Sequence, residues 1–377
     1  MLKGLYIHIP FCHKRCSYCS FYSQTDIGNI PAYIDALQKE IDIKRGLYQD
    51  FFDGGEATLY IGGGNPSVLS IDEISKILNK MLKLNFGYRE ITIEANPDSL
   101  TLEKIRAYKD LGINRISVGV QSFEDHILKI LGRNHRGIEA KKAIELVKEY
   151  FDNYSIDIIG GIDGSYNGEK INRALENDLK EIEKIKPLHI SFYLLSVEKN
   201  TPFYNSFKID EDKQALDYET FISFAKENGY IHYEISSYAK AGFESLHNTI
   251  YWERKDYLGF GASAASYLGD KKEIRIRNVA NISEYIKDPG NCEIERLSRS
   301  EITFELIFLP LRTKRGLDLD NLKPHLDAKT YEVILKNLIN LKKSGFLIQE
   351  KGKWIIKEEK YLISNEIISA VIKGAEI

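Results

Sequence analysis

Three of the four cysteines, Cys12, Cys16 and Cys19, lie in the run FCHKRCSYCSF with the spacing C-x3-C-x2-C. Thiolates bind soft metals and iron–sulfur clusters. Three of them on one short loop can hold three corners of a cubane cluster and leave the fourth iron open to an exogenous ligand. The alternative is a tetrahedral Cys3His zinc site closed by His8 or His13. His13 directly follows Cys12, an awkward place from which to complete a tetrahedron, and His8 falls inside a strand-like run. The spacing favours the cluster and leaves zinc as the alternative. Cys292 stands alone and reads as an inert thiol.

A metal loop needs a scaffold, and the flanking sequence supplies one. Short apolar runs recur as LYIHIP, TLYIGGG, EITIEANP, RISVGVQS, NYSIDIIGG and HISFYLLS. Most are rich in Ile, Val, Tyr and Phe, as buried parallel strands are. Helical patterns separate them, over 32–47, 102–111, 140–150 and 171–185. Ile74, Ile77, Leu78, Met81 and Leu82 make a further apolar stripe, opened by a Ser70/Glu73 capping box. Six strand-helix units predict an α/β chain with a parallel sheet, as a partial (β/α)6 barrel or, alternatively, an open doubly wound sheet. Ligands gather at the C-terminal ends of such strands. Cys12, Gly62–Gly64, Glu94, Gln121 and Asp157 fall at or near those ends.

The pattern predicts a barrel over 1–235 and a loop-rich connection over 236–298. A small winged-helix-like α+β unit follows over 299–377, with helices near 302–311 and 331–344 and the hairpin FLIQEKGKWIIK. The chain has 377 residues, 43% of them hydrophobic, and a net charge of -3. That balance predicts no nucleic-acid partner. No apolar run is long enough to span a membrane, and the N-terminus lacks signal-peptide features. The expectation is a cytoplasmic protein with reduced thiols.

With Tyr18 before the last cysteine, the loop resembles the signature of the radical S-adenosylmethionine (SAM) superfamily. The resemblance implies a 4Fe–4S cluster on Cys12, Cys16 and Cys19. It also implies SAM on the open iron, and its one-electron cleavage to a 5′-deoxyadenosyl radical. The downstream motifs resemble the oxygen-independent coproporphyrinogen oxidase family. By that resemblance Gly62, Gly63 and Gly64 meet the methionyl amino group, Glu94 the ammonium or ribose, Gln121 and Asp157 the ribose, and Arg133 the SAM carboxylate. Tyr6 lies near the cluster and sulfonium. Asn65–Pro66 replaces the usual Thr-Pro, and Gly160–Asp163 departs from the usual aromatic-Gly-x-Pro-Gly.

The family has a dehydrogenase branch, which converts two propionates of coproporphyrinogen III to vinyls, and a heme-chaperone branch, HemW. The dehydrogenase pattern has a further cysteine two residues after the third, where Phe21 stands after Ser20. It also has a long segment ahead of the cluster loop. The run HNTIYW (247–252) matches the HNxxYW motif of the chaperone branch. A neutral imidazole is a good heme ligand, and Tyr251 and Trp252 offer flat faces to a porphyrin. The expectation is a heme chaperone in which His247 ligates or anchors heme for transfer to an acceptor protein. The alternative is the dehydrogenase. Relatives tend to carry His where Ala265 stands. The resemblance also leaves room for a homodimer and for peripheral membrane contact.

Overall fold

The computed structural model describes residues 2–171, 173, 175–269 and 272–375. Six parallel strands form its centre: β1 (Lys3–Ile9), β2 (Glu56–Gly63), β3 (Gly87–Ala95), β4 (Arg115–Gln121), β5 (Tyr154–Gly160) and β8 (His189–Leu194). A three-stranded sheet of β6 (Gly164–Tyr166), β7 (Glu169–Ile171) and β9 (Phe207–Ile209) branches off beside β5. The parallel strands lie side by side in chain order, 8-5-4-3-2-1. A doubly wound sheet reverses that order at a switch point. Within these six strands the order does not reverse, which is the winding of a partial barrel.

The strands alternate in a way the apolar runs conceal. Leu5, Ile7, Leu59, Ile61, Ile116, Val118, Ile156 and Ile158 belong to one large core and are fully buried. The helices α1 (Ile30–Leu47), α2 (Ile71–Met81), α3 (Leu102–Asp110), α5 (Gly137–Tyr150), α6 (Leu175–Ile185) and α7 (Glu211–Glu227) pack there. Short α4 (Asp125–Leu131) follows β4. The alternate residues, Tyr6, Thr58, Tyr60, Glu94, Ser117, Asp157 and His189, share the opposite face. That face is the polar interior of the barrel. The Ser70/Glu73 capping box forms as expected. The helix expected over 171–185 starts at Leu175, and positions 172 and 174 lie outside the described residues.

The segment expected to be loop-rich, 236–298, is mostly regular. After β10 (Ile231–Glu234) come β11 (Ser237–Ala239) and helix α8 (Leu246–Trp252). Strands β12 (Tyr257–Phe260), β13 (Ala265–Leu268), β14 (Ile274–Asn278) and β15 (Cys292–Arg296) follow, with α9 (Ile282–Lys287) between the last two. β12 pairs parallel to β1, and β13 to β15 extend the sheet antiparallel beyond it. Short strands with charged residues at alternate positions carry a weak sequence signal, which is why the segment reads as loop. Beyond it lie α10 (Arg299–Leu311), α11 (Leu319–Leu322), α12 (Ala328–Lys343), the hairpin β16 (Leu347–Glu350) and β17 (Lys353–Ile356), and α13 (Ser364–Ile372). Among the described residues no helix is long and apolar enough to cross a membrane.

Candidate functional site: a cysteine-lined cavity at the barrel mouth

Phe11 and Cys12 follow directly from the end of β1, at the C-terminal mouth of the barrel. The cysteine loop is pinned at its base, where Cys12 N–H donates to Gln24 O (2.9 Å) and Gln24 N–H to Pro10 O (2.8 Å). Its far side is held by Ser17 N–H to Leu131 O (3.0 Å). Gly64 and Asn65 donate to Ile9 O and Phe11 O, which ties the glycine run to the same loop. Gly63 has φ +117°, and a Cβ there would stand 2.7 Å from the His8 ring. A Cβ on Gly64 would stand 3.0 Å from Cys12 Sγ. Glycine therefore leaves the wall of the cavity open where the backbone passes the thiols.

The cavity measures about 390 Å3, within the usual ~300–1,000 Å3 of ligand sites. It gathers Cys12, Cys16, Cys19, Tyr18, Gly63, Gly64, Glu94, Gln121, Arg133 and Asp157 around one space. The Glu94 carboxylate accepts from Tyr60 O–H (2.8 Å) and Gly63 N–H (3.1 Å). Burial, with Asp157 nearby, still raises its pKa to about 7. Burial also raises Asp157, which is held by Ser117 and Ser191. Arg133 donates through Nη2 to Asn96 Oδ1 (2.7 Å) and Gly119 O (2.6 Å), and its Nη1 lies 3.6 Å from Cys16 Sγ. Much of the expected carboxylate fork is thus already committed to placing the guanidinium beside the thiol. Gln121 has φ +69°, rare for a residue with a side chain, at a bulge that ends β4.

Three expected site residues lie elsewhere. Gly62 sits below the cavity, against Tyr60 and the Glu94 carboxyl. Tyr6 points into the barrel, with its hydroxyl 2.9 Å from His8 Nδ1. His247 lies on α8, which leads into β12, the parallel neighbour of β1. It therefore closes the N-terminal mouth, at the opposite end from the cysteines. The residue is 1% exposed, and its ring has Nδ1 2.7 Å from Thr58 Oγ1 and Nε2 2.7 Å from the Tyr251 hydroxyl. Both ring nitrogens are engaged, so the expected heme ligand is not available as a free imidazole in this arrangement. Glu90 accepts from the N–H groups of Leu246 and His247 and anchors the helix to the barrel. Tyr60 stacks on His247 at 5.0 Å and reaches up to Glu94, joining the two ends. Thr58, Tyr60, Glu90, Asn96, Ser117 and Tyr193 were not picked out from the sequence. For the strand residues, the period-two alternation of polar residues was the available signal.

Burial, and next the Arg115 guanidinium, lower the His247 pKa to about 3. Unfolded, the ring protonates near 6.5. Its contribution to stability is therefore full above pH 6.5 and drains as pH falls toward 3, since the unfolded chain takes the proton first. Between pH 7 and 4.5 the natural chain should lose about 2–3 kcal/mol more than a His247→Gln variant. Urea unfolding of both at the two pH values measures this. Equal losses would show that the ring charges in the folded state.

The donor set suits a thiolate-bound cluster. All three cysteines are free and half-buried at one cavity wall. Burial raises Cys12 to about 11 and also raises Cys19, an environment that needs a bound cation to hold thiolates. A Cys3His zinc site fits less well. Both nitrogens of His8 are used, by Tyr6 and by Tyr22 O (3.0 Å).

Barrel, loop and glycine wall together define a radical SAM protein. The model of the Radical SAM superfamily matches residues 6–176, and members bind a 4Fe–4S cluster and SAM. The structure is similar to that of coproporphyrinogen III oxidase (HemN) from Escherichia coli, with a TM-score of 0.80 over 98% of this chain and 90% of that one, at 23% identity. The chain is also 32% identical to the heme chaperone HemW of Bacillus subtilis, over 98% of its own length and 99% of that protein's. It is 35% identical to HemW of Lactococcus lactis over 90% of each. The chain belongs to the HemW family of the radical SAM superfamily.

Proposed function

We propose that this protein is a heme chaperone: it binds heme as cargo and passes it to an acceptor protein, and it holds a 4Fe–4S cluster and SAM at the barrel mouth. The observation that carries this reading is the end-to-end similarity to proteins named as heme chaperones. The likeness to the oxidase, at 23% identity, speaks for the fold alone. The cavity rim supports the choice of branch. Phe21, where the dehydrogenase pattern has a further cysteine, lines the mouth and is 68% exposed. Cys12, Cys16 and Cys19 hold the cluster, which with SAM bound supplies reducing and radical chemistry. Around it Gly63 and Gly64 keep the wall open, Glu94 and Asp157 offer acceptors to ammonium and hydroxyl groups, and Arg133 stands against the thiol of Cys16. His247 serves as a barrel plug that sets α8 on Thr58 and Tyr60, rather than as an iron ligand.

The test is an anaerobic titration of the reconstituted protein with heme, followed by mixing with an apo-cytochrome acceptor. Stoichiometric binding and heme transfer are expected, with no vinyl formation from coproporphyrinogen III. No heme binding, together with SAM-dependent decarboxylation of coproporphyrinogen, would overturn the reading in favour of the dehydrogenase.

A further inference from the structure

The small sheet of β6, β7 and β9 has a core of its own. Ile127, Leu131, Ile162, Leu195, Phe203 and Phe207 are buried together in a cluster separate from the main core. We infer that this second core is a clamp on the cysteine loop, with Phe203 as its positioning residue. It carries Cys16 and Cys19 while the barrel carries Cys12, so that occupancy of the three thiols by the cluster and closure of the small sheet are one linked equilibrium.

The clamp grips the middle of the loop. Between Cys16 and Cys19, Ser17 uses both of its backbone groups on partners outside the loop. Its N–H donates to Leu131 O (3.0 Å), and its C=O accepts from Phe203 N–H (3.2 Å). Leu131 and Phe203 are fully buried in the second core, and Tyr18 packs against that core. The Phe203 ring meets Tyr166 of β6 edge-on at 5.6 Å and Phe207 of β9 at 4.8 Å. One residue thus joins the loop to two strands of the small sheet. The Cys12 end is held differently. Phe11 is buried in the main core, and Cys12 N–H donates to Gln24 O (2.9 Å). The three thiols ride on two bodies, and a cluster bound to all three locks one body to the other.

The small sheet is built to open. Its strands have three residues each, and only Ile171 and Phe207 among them are buried. A unit with so little burial opens more easily than the barrel. It leaves β5 through Gly160–Asp163, the stretch that departs from the family's usual pattern. Gly161 has φ +67° and Gly164 φ +133°, and a Cβ on Gly164 would run into Lys208 O of β9. Glycine lets the chain turn away from the strand and fold back tightly there. Ile159 and Leu195 of the second core, with Tyr18, also line the cavity beside the thiols. Opening the sheet would therefore move one wall of that cavity.

Coupling of this kind is reciprocal. A cluster on the three thiols favours the closed sheet, and the closed sheet slows loss of the cluster.

Hydrogen exchange of the full chain, with and without the reconstituted cluster, tests the link. Amides of 164–171 and 203–209 should exchange about tenfold more slowly in the loaded protein. Those of the β16–β17 hairpin should not change. Release of iron to a chelator should be about fivefold faster in Phe203→Ala and near the natural rate in Phe203→Leu, which keeps most of the apolar volume. Leu338→Ala, which empties a fully buried site on α12, controls for a general loss of stability and should release iron at the natural rate. If Phe203→Ala does not fold, Tyr166→Ala, at a half-buried position, should show the same acceleration. Exchange in the small sheet that is equal with and without the cluster would overturn the clamp. Iron release accelerated equally by Leu338→Ala would do the same.

Discussion

Cys16→Ser is expected to abolish the iron–sulfur centre. Anaerobic reconstitution of the natural chain should yield about four iron and about four sulfide per chain, the content of one cubane. The variant should retain less than about one of each and lose the broad visible absorbance of thiolate-bound iron. The reason lies in the geometry of the loop. Cys12 is fixed at its base through Gln24, and Ser17 on its flank through Leu131. No further cysteine can swing in, because Cys292 lies on β15, away from the cavity lining. A serine hydroxyl is a hard, weakly acidic donor and a poor substitute for a thiolate on iron. Cys292→Ser is the control and should keep full iron and sulfide. One equivalent of zinc with no sulfide in the natural protein would sink the cluster assignment.

Glu40→Ala should be strongly destabilising, costing ~3–5 kcal/mol. Glu40 is on α1 and is fully buried. It pairs with Lys44 (2.8 Å) and accepts from Gly261 N–H (2.7 Å), Asn278 Nδ2 (2.6 Å) and Tyr285 O–H (2.6 Å). Lys44 in turn donates to Gly259 O (2.6 Å) and Asn278 Oδ1 (3.0 Å). This network fastens α1 to β12, β14 and α9, the part of the sheet beyond β1. Alanine would strand a buried ammonium and several donors together. The paired replacement Glu40→Leu with Lys44→Met should recover much of the loss, because it removes both charges and keeps volume. Urea midpoints of the three proteins decide this. A Glu40→Ala cost below about 1 kcal/mol would mean that the network is solvated rather than buried.

The cysteine spacing was readable because a metal loop is local. Three ligands within eight residues carry their chemistry in their own order, whatever the rest of the chain does. The six strand-helix units were readable for a similar reason, since β-branched runs and capped amphipathic helices are short-range patterns. Most of the cavity followed from them, because consecutive parallel strands bring their C-terminal ends to one mouth, and with them Glu94, Gln121 and Asp157.

The rest depended on pairings far apart in sequence. Thr58 and His247 are 189 residues apart, Glu90 and His247 are 157, and Glu40 and Asn278 are 238. No local window contains such a contact. Read alone, HNTIYW presents an imidazole free to bind iron. Folded, that ring is locked between Thr58 and Tyr251. A side chain's chemistry is set by its type, but its availability is set by what packs against it. For His247 only the tertiary structure decides that.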